Sequence, residues 1–402
     1  MSNGNENRSS FRDALPINPN GLPTVQLDTA HSPLKVLAQP SLLRAFVHGE
    51  KIRPIHMRIG ITGACNMRCS FCNFHSPNES QFYDRFSYKD SIPADKCVSL
   101  FEEFSREGGK AITFCGSGEC TIHPAYAEIA NAGHAMGLRI GLITNGAMLH
   151  TVRIADCVTN THCWVRIGMN AGTPSTFAQV TRHSSGTFLR ILNSIQRIRD
   201  AALDPDFRIG LNYVITKDNY TEILKAVLLA SGTGAHYIRF EPEFYTSLGH
   251  ATIGSVLEEI SGALQEAMTL SRADFEVSVP KLDRGPMDQT STVEGKFLHC
   301  HYSRFVTAVG ADGNLYPCPQ VHLNERYRIG SVLESGYTNV LDGGPRDDWE
   351  KSNPLRTDLC KTCFYRPQNE LLELLRRGLI DIEAAIGRYQ IEVPSTLHAE
   401  FI

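Results

Sequence analysis

The chain has 402 residues, 42% hydrophobic and 20% charged, with a formal net charge of −4. That is enough apolar material for more than one average domain, and the charge leaves no electrostatic footprint for nucleic acid or an anionic membrane. No apolar run is long enough to span a bilayer and the first fifty residues lack the charged-then-apolar order of a secretion signal, so a cytoplasmic protein is expected. In a reducing compartment its twelve cysteines point to metal or redox chemistry rather than disulfides.

Residues 1–50, rich in Asn, Ser and Pro and without sustained periodicity, are expected to form a flexible extension. From residue 51 short apolar or β-branched runs predict strands at 56–62, 111–115, 138–144, 163–169, 208–215 and 236–242. Helical patterns fall between them at 93–107 (closed by Gly108 and Gly109), 124–136, 186–200 and 219–230, and 253–271 follows the last strand. Strands that alternate with helices imply a parallel sheet with right-handed crossovers, curled into a partial or full barrel with its chemistry at the C-terminal strand ends. The expected division is a barrel at 51–250, a connecting helix and linker at 251–295, a second small domain at 296–366 and a C-terminal helical segment at 367–402. The second domain has few helical patterns and four of the twelve cysteines, and QNELLELLRRGLIDIEAAIGRY after it reads as amphipathic helix.

The loop after the first predicted strand, ITGACNMRCSFCNF, places Cys65, Cys69 and Cys72 in a Cys-x3-Cys-x2-Cys pattern. Three thiolates suit a four-iron cluster whose fourth iron has no protein ligand; with His75 as a near fourth ligand they also suit a structural zinc. After the second strand comes FCGSGECTIHP, where Gly116 and Gly118 allow either a tight turn or close approach of the backbone to a ligand. Cys300, Cys318, Cys360 and Cys363, with 17, 41 and 2 residues between them, form a second set. Asp312-Gly313 predicts a hairpin that brings Cys300 and Cys318 to its base, and the later Cys-x2-Cys turn closes a four-thiolate site for zinc or a fully ligated cluster.

These segments, with Phe71 as the aromatic residue before the last cysteine of the loop, resemble the radical S-adenosylmethionine (SAM) superfamily and its SPASM/twitch-domain subgroup over roughly residues 55–366. The resemblance implies an α/β fold, a partial (β/α)6 radical SAM barrel with a small C-terminal twitch-type auxiliary-cluster domain. It implies a [4Fe–4S] cluster on Cys65, Cys69 and Cys72 that binds SAM and cleaves it to a 5′-deoxyadenosyl radical, and a second, auxiliary [4Fe–4S] cluster on Cys300, Cys318, Cys360 and Cys363 for electron transfer. Phe71, Gly116, Ser117, Gly118 and Glu119 are then candidate SAM contacts, although Ser117 and Cys120 replace a glycine and the proline of the family's GGGEP segment. Asn145 and Gly146 end the third strand, Asn170 is placed toward the SAM ribose, and Arg182 toward the SAM carboxylate.

Arg239 and Glu241, alternating on the sixth strand, are candidate substrate contacts, and Cys115 or Cys120 a candidate hydrogen donor. Each has a structural counterpart: a turn asparagine, a solvated helix-end arginine, an ion pair, packed thiols. Cys97, Cys157 and Cys163 read as packing residues. The resemblance implies oxidation or epimerisation of a sugar- or aminocyclitol-like small molecule in natural-product biosynthesis, served by a flavodoxin- or ferredoxin-type electron donor; no nucleic-acid or membrane partner is expected. A peptide-modifying maturase and a zinc-stabilised binding protein are the alternatives.

Overall fold

The pleat of six strands decides the architecture: β1 (His56–Ile59), β2 (Ala111–Phe114), β3 (Arg139–Thr144), β4 (His162–Gly168), β5 (Arg208–Ile215) and β6 (Tyr237–Pro242). On one face Met57, Ile112, Leu142, Ile167, Leu211 and Phe240 are at most 1% exposed and belong to a single apolar cluster with the helices. The opposite face carries Arg58, Thr113, Arg166, Asn212, Arg239 and Glu241. Alternation of this kind puts the apolar residues under the helical layer and the polar ones inside. The computed structural model from which these features are read describes residues 32–74, 82–245, 250–251, 253–279, 297–352, 360, 363–393 and 395–402.

Helix α1 (Pro40–Val47) precedes the sheet, and α2 (Ala94–Arg106), α3 (Tyr126–Ala135), α4 (Val152–Thr161), α5 (Pro174–Thr181), α6 (Ser185–Ala201), α7 (Ile223–Gly232) and α8 (Leu257–Met268) accompany its strands. A two-stranded ribbon, β7 (Phe244–Tyr245) with β8 (His250–Ala251), follows β6; then come β9 (Glu276–Ser278), β10 (Val306–Val309), β11 (Asn314–Tyr316) and β12 (Gly330–Ser331). The large sheet runs β12-β11-β10-β1-β2-β3-β4-β5-β6-β9. Every pairing from β10 to β9 is parallel, and only the β10–β11 and β11–β12 pairings are antiparallel, so β11 alone is reversed in this sheet among the described residues.

In a flat sheet β1 and β6 would stand about 24 Å apart. Arg58 on β1 is nevertheless within electrostatic reach of Arg166 on β4 and Glu241 on β6, so the sheet curls and its polar face becomes the lumen of a partial barrel. Two glycines close the floor of that lumen. A Cβ at Gly141 or Gly210 would stand 2.2 Å from the ring of Trp164 or Tyr237, so each ring lies flat over its neighbouring strand.

The strands fall where the sequence predicts them, whereas three other segments differ. Residues 32–47, expected to be part of a flexible extension, are packed: Leu43 and Phe46 of α1 are fully buried, and Phe46 meets Phe305 edge-on at 5.3 Å. Two short helical pieces of six and eight residues are too little periodicity to register in sequence, and the burial of Phe46 comes from a partner some 260 residues away. Residues 1–31 lie outside the described residues. Within the expected linker, β9 extends the parallel sheet beyond β6; three residues are too short to show alternation. Helix α4 has no predicted counterpart, since its sequence VRIADCVTNT mixes β-branched and polar residues of weak helix propensity.

The C-terminal unit is built on the same sheet. β10 lies parallel to β1 with His56 opposite Val306, so the second domain continues the barrel edge instead of hanging from a linker. Short helices α9 (Val332–Ser335), α10 (Tyr337–Leu341) and α11 (Gly344–Lys351) lead to α12 (Arg366–Arg376) and α13 (Ile382–Glu392), the two amphipathic pieces of the predicted terminal helix. Leu371, Leu372, Leu375, Ile386 and Tyr389 from these two helices share an apolar cluster with Phe46, Tyr302 and Phe305.

Candidate active site

The cysteine loop leaves the C-terminal end of β1 and is pinned by backbone. Arg68 N and Ser70 N donate to the carbonyls of Thr181 (3.0 Å) and Val180 (2.9 Å), which the last turn of α5 leaves open. Within the loop Cys72 N donates to Cys69 O at 3.1 Å and Met67 N to Cys65 Sγ at 3.5 Å. Burial, with the neighbouring Cys72 and Cys65 sulfurs adding, pushes the Cys69 thiol up to about 12. Thiols crowded this way resist ionisation unless cationic iron or zinc sits among them, so the donor set fits a metal cluster. His75 lies outside the described residues.

The glycine turn after β2 is shaped by that loop. A Cβ on Gly118 would stand 2.3 Å from Ala64 O, and one on Gly116, at φ +149°, would stand 2.8 Å from the Cα of Gly60. Glu119 N then donates to Ala64 O at 2.8 Å. Glu119 is 4% exposed and gathers three segments. Its Oε1 accepts from Thr121 N (3.1 Å), Thr121 Oγ1 (2.5 Å) and Thr144 Oγ1 (2.7 Å), and its Oε2 from Asn145 N (2.7 Å). Asn145 passes the constraint on, because its Nδ2 donates to Asn66 Oδ1 at 2.7 Å and lies 3.8 Å from Cys65 Sγ. The buried hydroxyl of Ser117 has no hydrogen-bond partner among the described residues.

Around this centre the other expected SAM contacts are distributed unevenly. Phe71 is half-buried in the cysteine loop. Arg182, exposed and left-handed at φ 52°, immediately follows Thr181, whose carbonyl holds the loop. Asn170 is also left-handed, at φ 55°, but buried; its Oδ1 accepts from Val214 N at 2.8 Å and its carbonyl from Asn219 Nδ2 at 3.0 Å. Its side-chain oxygen thus joins the strand-four turn to β5.

The lumen carries the expected pair and two cations the sequence reading missed. Arg239 Nη2 meets Glu241 Oε1 at 2.6 Å. Burial pushes the Glu241 carboxyl up, but Arg239, Arg166, a hydrogen bond from Asn212 and Arg58 outweigh it and hold the group below the usual carboxylate range. Arg58 and Arg166 occupy the same face; their signal in sequence was parity, one arginine at an inward position of HMRI and one at an inward position of HCWVRIG. Cys115 is half-buried and its sulfur meets the Arg58 guanidinium. Cys120 is 1% exposed in the apolar cluster with its Sγ 3.9 Å from Ile59 O, and burial pushes that thiol well up.

The second cysteine set assembles as the hairpin signal predicts. Cys300 precedes β10, Cys318 follows β11, and both line a small cavity with Cys360, Cys363, Gln320, Tyr365 and Asn369. Burial first, and then the neighbouring thiols, push Cys318 and Cys363 well above the ordinary thiol range. Among the described residues no three Cys, His, Asp or Glu side chains converge on a single-ion position. Four thiols around one cavity suit either a zinc tetrahedron with Zn–S of about 2.3 Å or an iron–sulfur cube. Supporting contacts fix the rim: Asn369, fully buried, directs Nδ2 toward Cys363 Sγ at 3.7 Å and accepts from Tyr302 N at 2.8 Å.

Tyr365 touches both sites. Its ring lines the four-cysteine cavity and stacks on Tyr302 at 3.8 Å and 9°, while its hydroxyl accepts from Arg58 Nη1 in the lumen at 2.8 Å.

A curled parallel sheet with a three-cysteine loop at its C-terminal edge, joined to a four-cysteine domain, defines a radical SAM enzyme with an auxiliary iron–sulfur domain. Residues 59–230 match the model of the Radical SAM superfamily and residues 300–364 that of SPASM, an iron–sulfur cluster-binding domain; the chain is a radical SAM–SPASM protein, and with these domains come a SAM-binding [4Fe–4S] cluster, SAM and auxiliary iron–sulfur ligation. Among its relatives is a probable GTP 3′,8-cyclase of Sulfolobus acidocaldarius, 25% identical over 236 residues that cover 56% of this chain and 67% of that enzyme. Mycofactocin maturase MftC of Mycobacterium ulcerans is 23% identical over 326 residues, 77% of this chain and 79% of that protein. Streptococcus suis SuiB shares the fold: bound to SAM it gives a TM-score of 0.58 at 13% identity over 80% of this chain and 74% of its own. Bound to the precursor peptide SuiA it gives 0.57 at 14% identity over 88% and 81%.

Proposed function

We propose that this enzyme removes hydrogen from a carbon of a small polar molecule seated in the barrel lumen and that the SPASM site exchanges the electron the resulting substrate radical loses or gains, giving oxidation or epimerisation. The observation that carries this is Tyr365, one side chain in contact with both the lumen and the four-cysteine cavity. Cys65, Cys69 and Cys72 hold the catalytic cluster; Phe71, Gly116, Ser117, Gly118, Glu119, Asn170 and Arg182 form the surroundings of SAM, with Glu119 and Asn170 shaping turns. When bound, cluster and SAM together supply a carbon-centred radical able to take hydrogen from an unactivated C–H bond. Cys300, Cys318, Cys360 and Cys363 hold the auxiliary cluster. Arg239 and Glu241 orient substrate, and Cys115 rather than the core-bound Cys120 is the thiol suited to return hydrogen from the opposite face.

A hydrogen-bonding lumen of Arg58, Arg166, Asn212, Arg239 and Glu241 supports a small polyfunctional substrate such as the sugar-like class. A peptide substrate is the second reading, favoured by the alignment of MftC along both domains and by the precursor peptide held by SuiB. The electron donor is of flavodoxin or ferredoxin type. Among the described residues no helix is long and apolar enough to cross a membrane, and the thiol-based sites suit a reducing cytoplasm.

Anaerobic reconstitution tests the reading. The wild-type chain should hold about eight irons and, with dithionite, convert SAM to 5′-deoxyadenosine and methionine. Replacing Cys65, Cys69 and Cys72 by Ala should abolish cleavage and leave about four irons; stoichiometric zinc without iron would sink the proposal. A protease-resistant metabolite fraction that stimulates cleavage supports the small-molecule substrate, and stimulation confined to a protease-sensitive fraction selects the peptide.

A further inference from the structure

Among the described residues, two of the three guanidiniums in the lumen lack a carboxylate of their own. Arg239 is paired with Glu241. Among the described residues Arg58 hydrogen-bonds only to neutral groups, the Tyr365 hydroxyl and the Cys115 sulfur, while Glu241 acts on it from across the lumen, and its Nε is buried without a partner. Arg166 Nε is likewise buried and unpartnered, and the carboxylate that acts on Arg166, Glu241, is already held by Arg239. Of the other acids near this face, Glu276 lies beside Tyr237 on the edge strand, Glu243 lies past the end of β6, and Glu119 is occupied by Thr121, Thr144 and Asn145. The buried Oδ1 of Asn212, in register between Gly168 and Arg239, has no hydrogen-bond partner.

A buried cation without a counter-charge is destabilising, and so is a buried acceptor without a donor. Two guanidinium forks within electrostatic reach of each other across the lumen and one open acceptor are together the complement of an anion flanked by a hydroxyl or amide donor. We propose that Arg58 and Arg166 form an anion subsite in the lumen, so that the substrate carries a carboxylate or phosphate that binds between them and a neighbouring donor that reaches Asn212. The inference rests on the lumen being the substrate chamber and narrows the sugar-like class to its acidic or phosphorylated members, since a cationic aminocyclitol would be repelled.

The test uses reconstituted holoenzyme under anaerobic conditions, saturated with SAM, and calorimetric titration with glucuronate, glucose 6-phosphate and glucose. At least one anionic sugar should bind more tightly than glucose; binding of glucuronate alone assigns a carboxylate substrate, and of glucose 6-phosphate alone a phosphorylated one. Arg166→Gln and Arg58→Gln should each weaken the anionic probe about tenfold or more. Ligand-free Arg166→Gln should melt no lower than wild type, because it removes an uncompensated charge, and this keeps lost binding distinct from lost folding. The inference is overturned if neither anion outbinds glucose, if both variants bind like wild type, if ligand-free Arg166→Gln melts well below wild type, or if SAM displaces the probe and so claims the arginines for its own carboxylate. Iron content and SAM cleavage of the wild-type preparation report separately on the proposed chemistry, so intact cleavage without anion binding removes the subsite alone.

Discussion

Replacing Glu119 by Ala removes the acceptor that ties the turn after β2 to the end of β3 in the catalytic centre. The carboxylate is 4% exposed and accepts from Thr121 N, Thr121 Oγ1, Thr144 Oγ1 and Asn145 N. The two hydroxyls can rotate toward other acceptors, whereas the Thr121 and Asn145 amides are fixed by backbone. Each orphaned buried donor costs roughly 1–3 kcal/mol, so Glu119→Ala should lose about 2–6 kcal/mol, a large share of the roughly 5–15 kcal/mol that holds a domain folded. Asn145 would also drift from Asn66 and Cys65, which loosens the cysteine loop. Glu119→Gln keeps one oxygen for the Thr121 and Thr144 donors but turns an amide against Asn145 N–H, for about 1–3 kcal/mol. Anaerobic thermal unfolding with iron analysis measures both effects: Glu119→Ala should melt well below wild type and retain about four irons, those of the SPASM site. A variant within about 1 kcal/mol of wild type with full iron would refute the view that this carboxylate organises the site.

Gly118→Ala places a Cβ 2.3 Å from Ala64 O, so the turn and the cysteine loop must separate; iron at the catalytic site and SAM cleavage should fall together, and an unaffected variant would show that the two backbones are not in contact. Tyr365→Phe strips the acceptor from Arg58 Nη1 and should lower stability by about 1–3 kcal/mol with iron content unchanged; unchanged melting would disprove that bond. Acid should destabilise the fold below neutrality: burial, which is the leading cause at each, holds His56, His162 and His398 down to about 3 against an ordinary 6.5. They stay neutral in the folded chain while the unfolded chain takes up protons below 6.5, so stability is present above that pH and is lost as pH falls toward 3, by up to about 1.4 kcal/mol per pH unit for each histidine. A melting temperature flat between pH 7 and 4.5 would contradict this.

The parts of the molecule legible in its sequence are those written in local patterns. Strand positions followed from alternation, the catalytic loop from the spacing of Cys65, Cys69 and Cys72, and the base of the second site from the Asp312-Gly313 turn, because each depends on residues within one hairpin, loop or strand. The role of Glu119 was only partly visible. Its place in the glycine-rich segment marked it as a candidate SAM contact, but its hydrogen bonds to Thr144 and Asn145 depend on where β3 lies beside β2.

Tertiary structure alone decided the rest. Arg58, Arg166 and Glu241 lie on different strands that meet across the lumen only because the sheet curls, and no periodicity along one strand records curvature. The pairing of β10 with β1 and the reach of Tyr365 to Arg58 join segments about 250 and 307 residues apart. Such contacts are selected by which sheet edge is free and which face is already buried, properties of the assembled fold. The sequence by itself therefore placed the candidate cluster cysteines, which lie in two short motifs and a hairpin; the three-dimensional fold determined the chamber, the charge within it and its link to the second site.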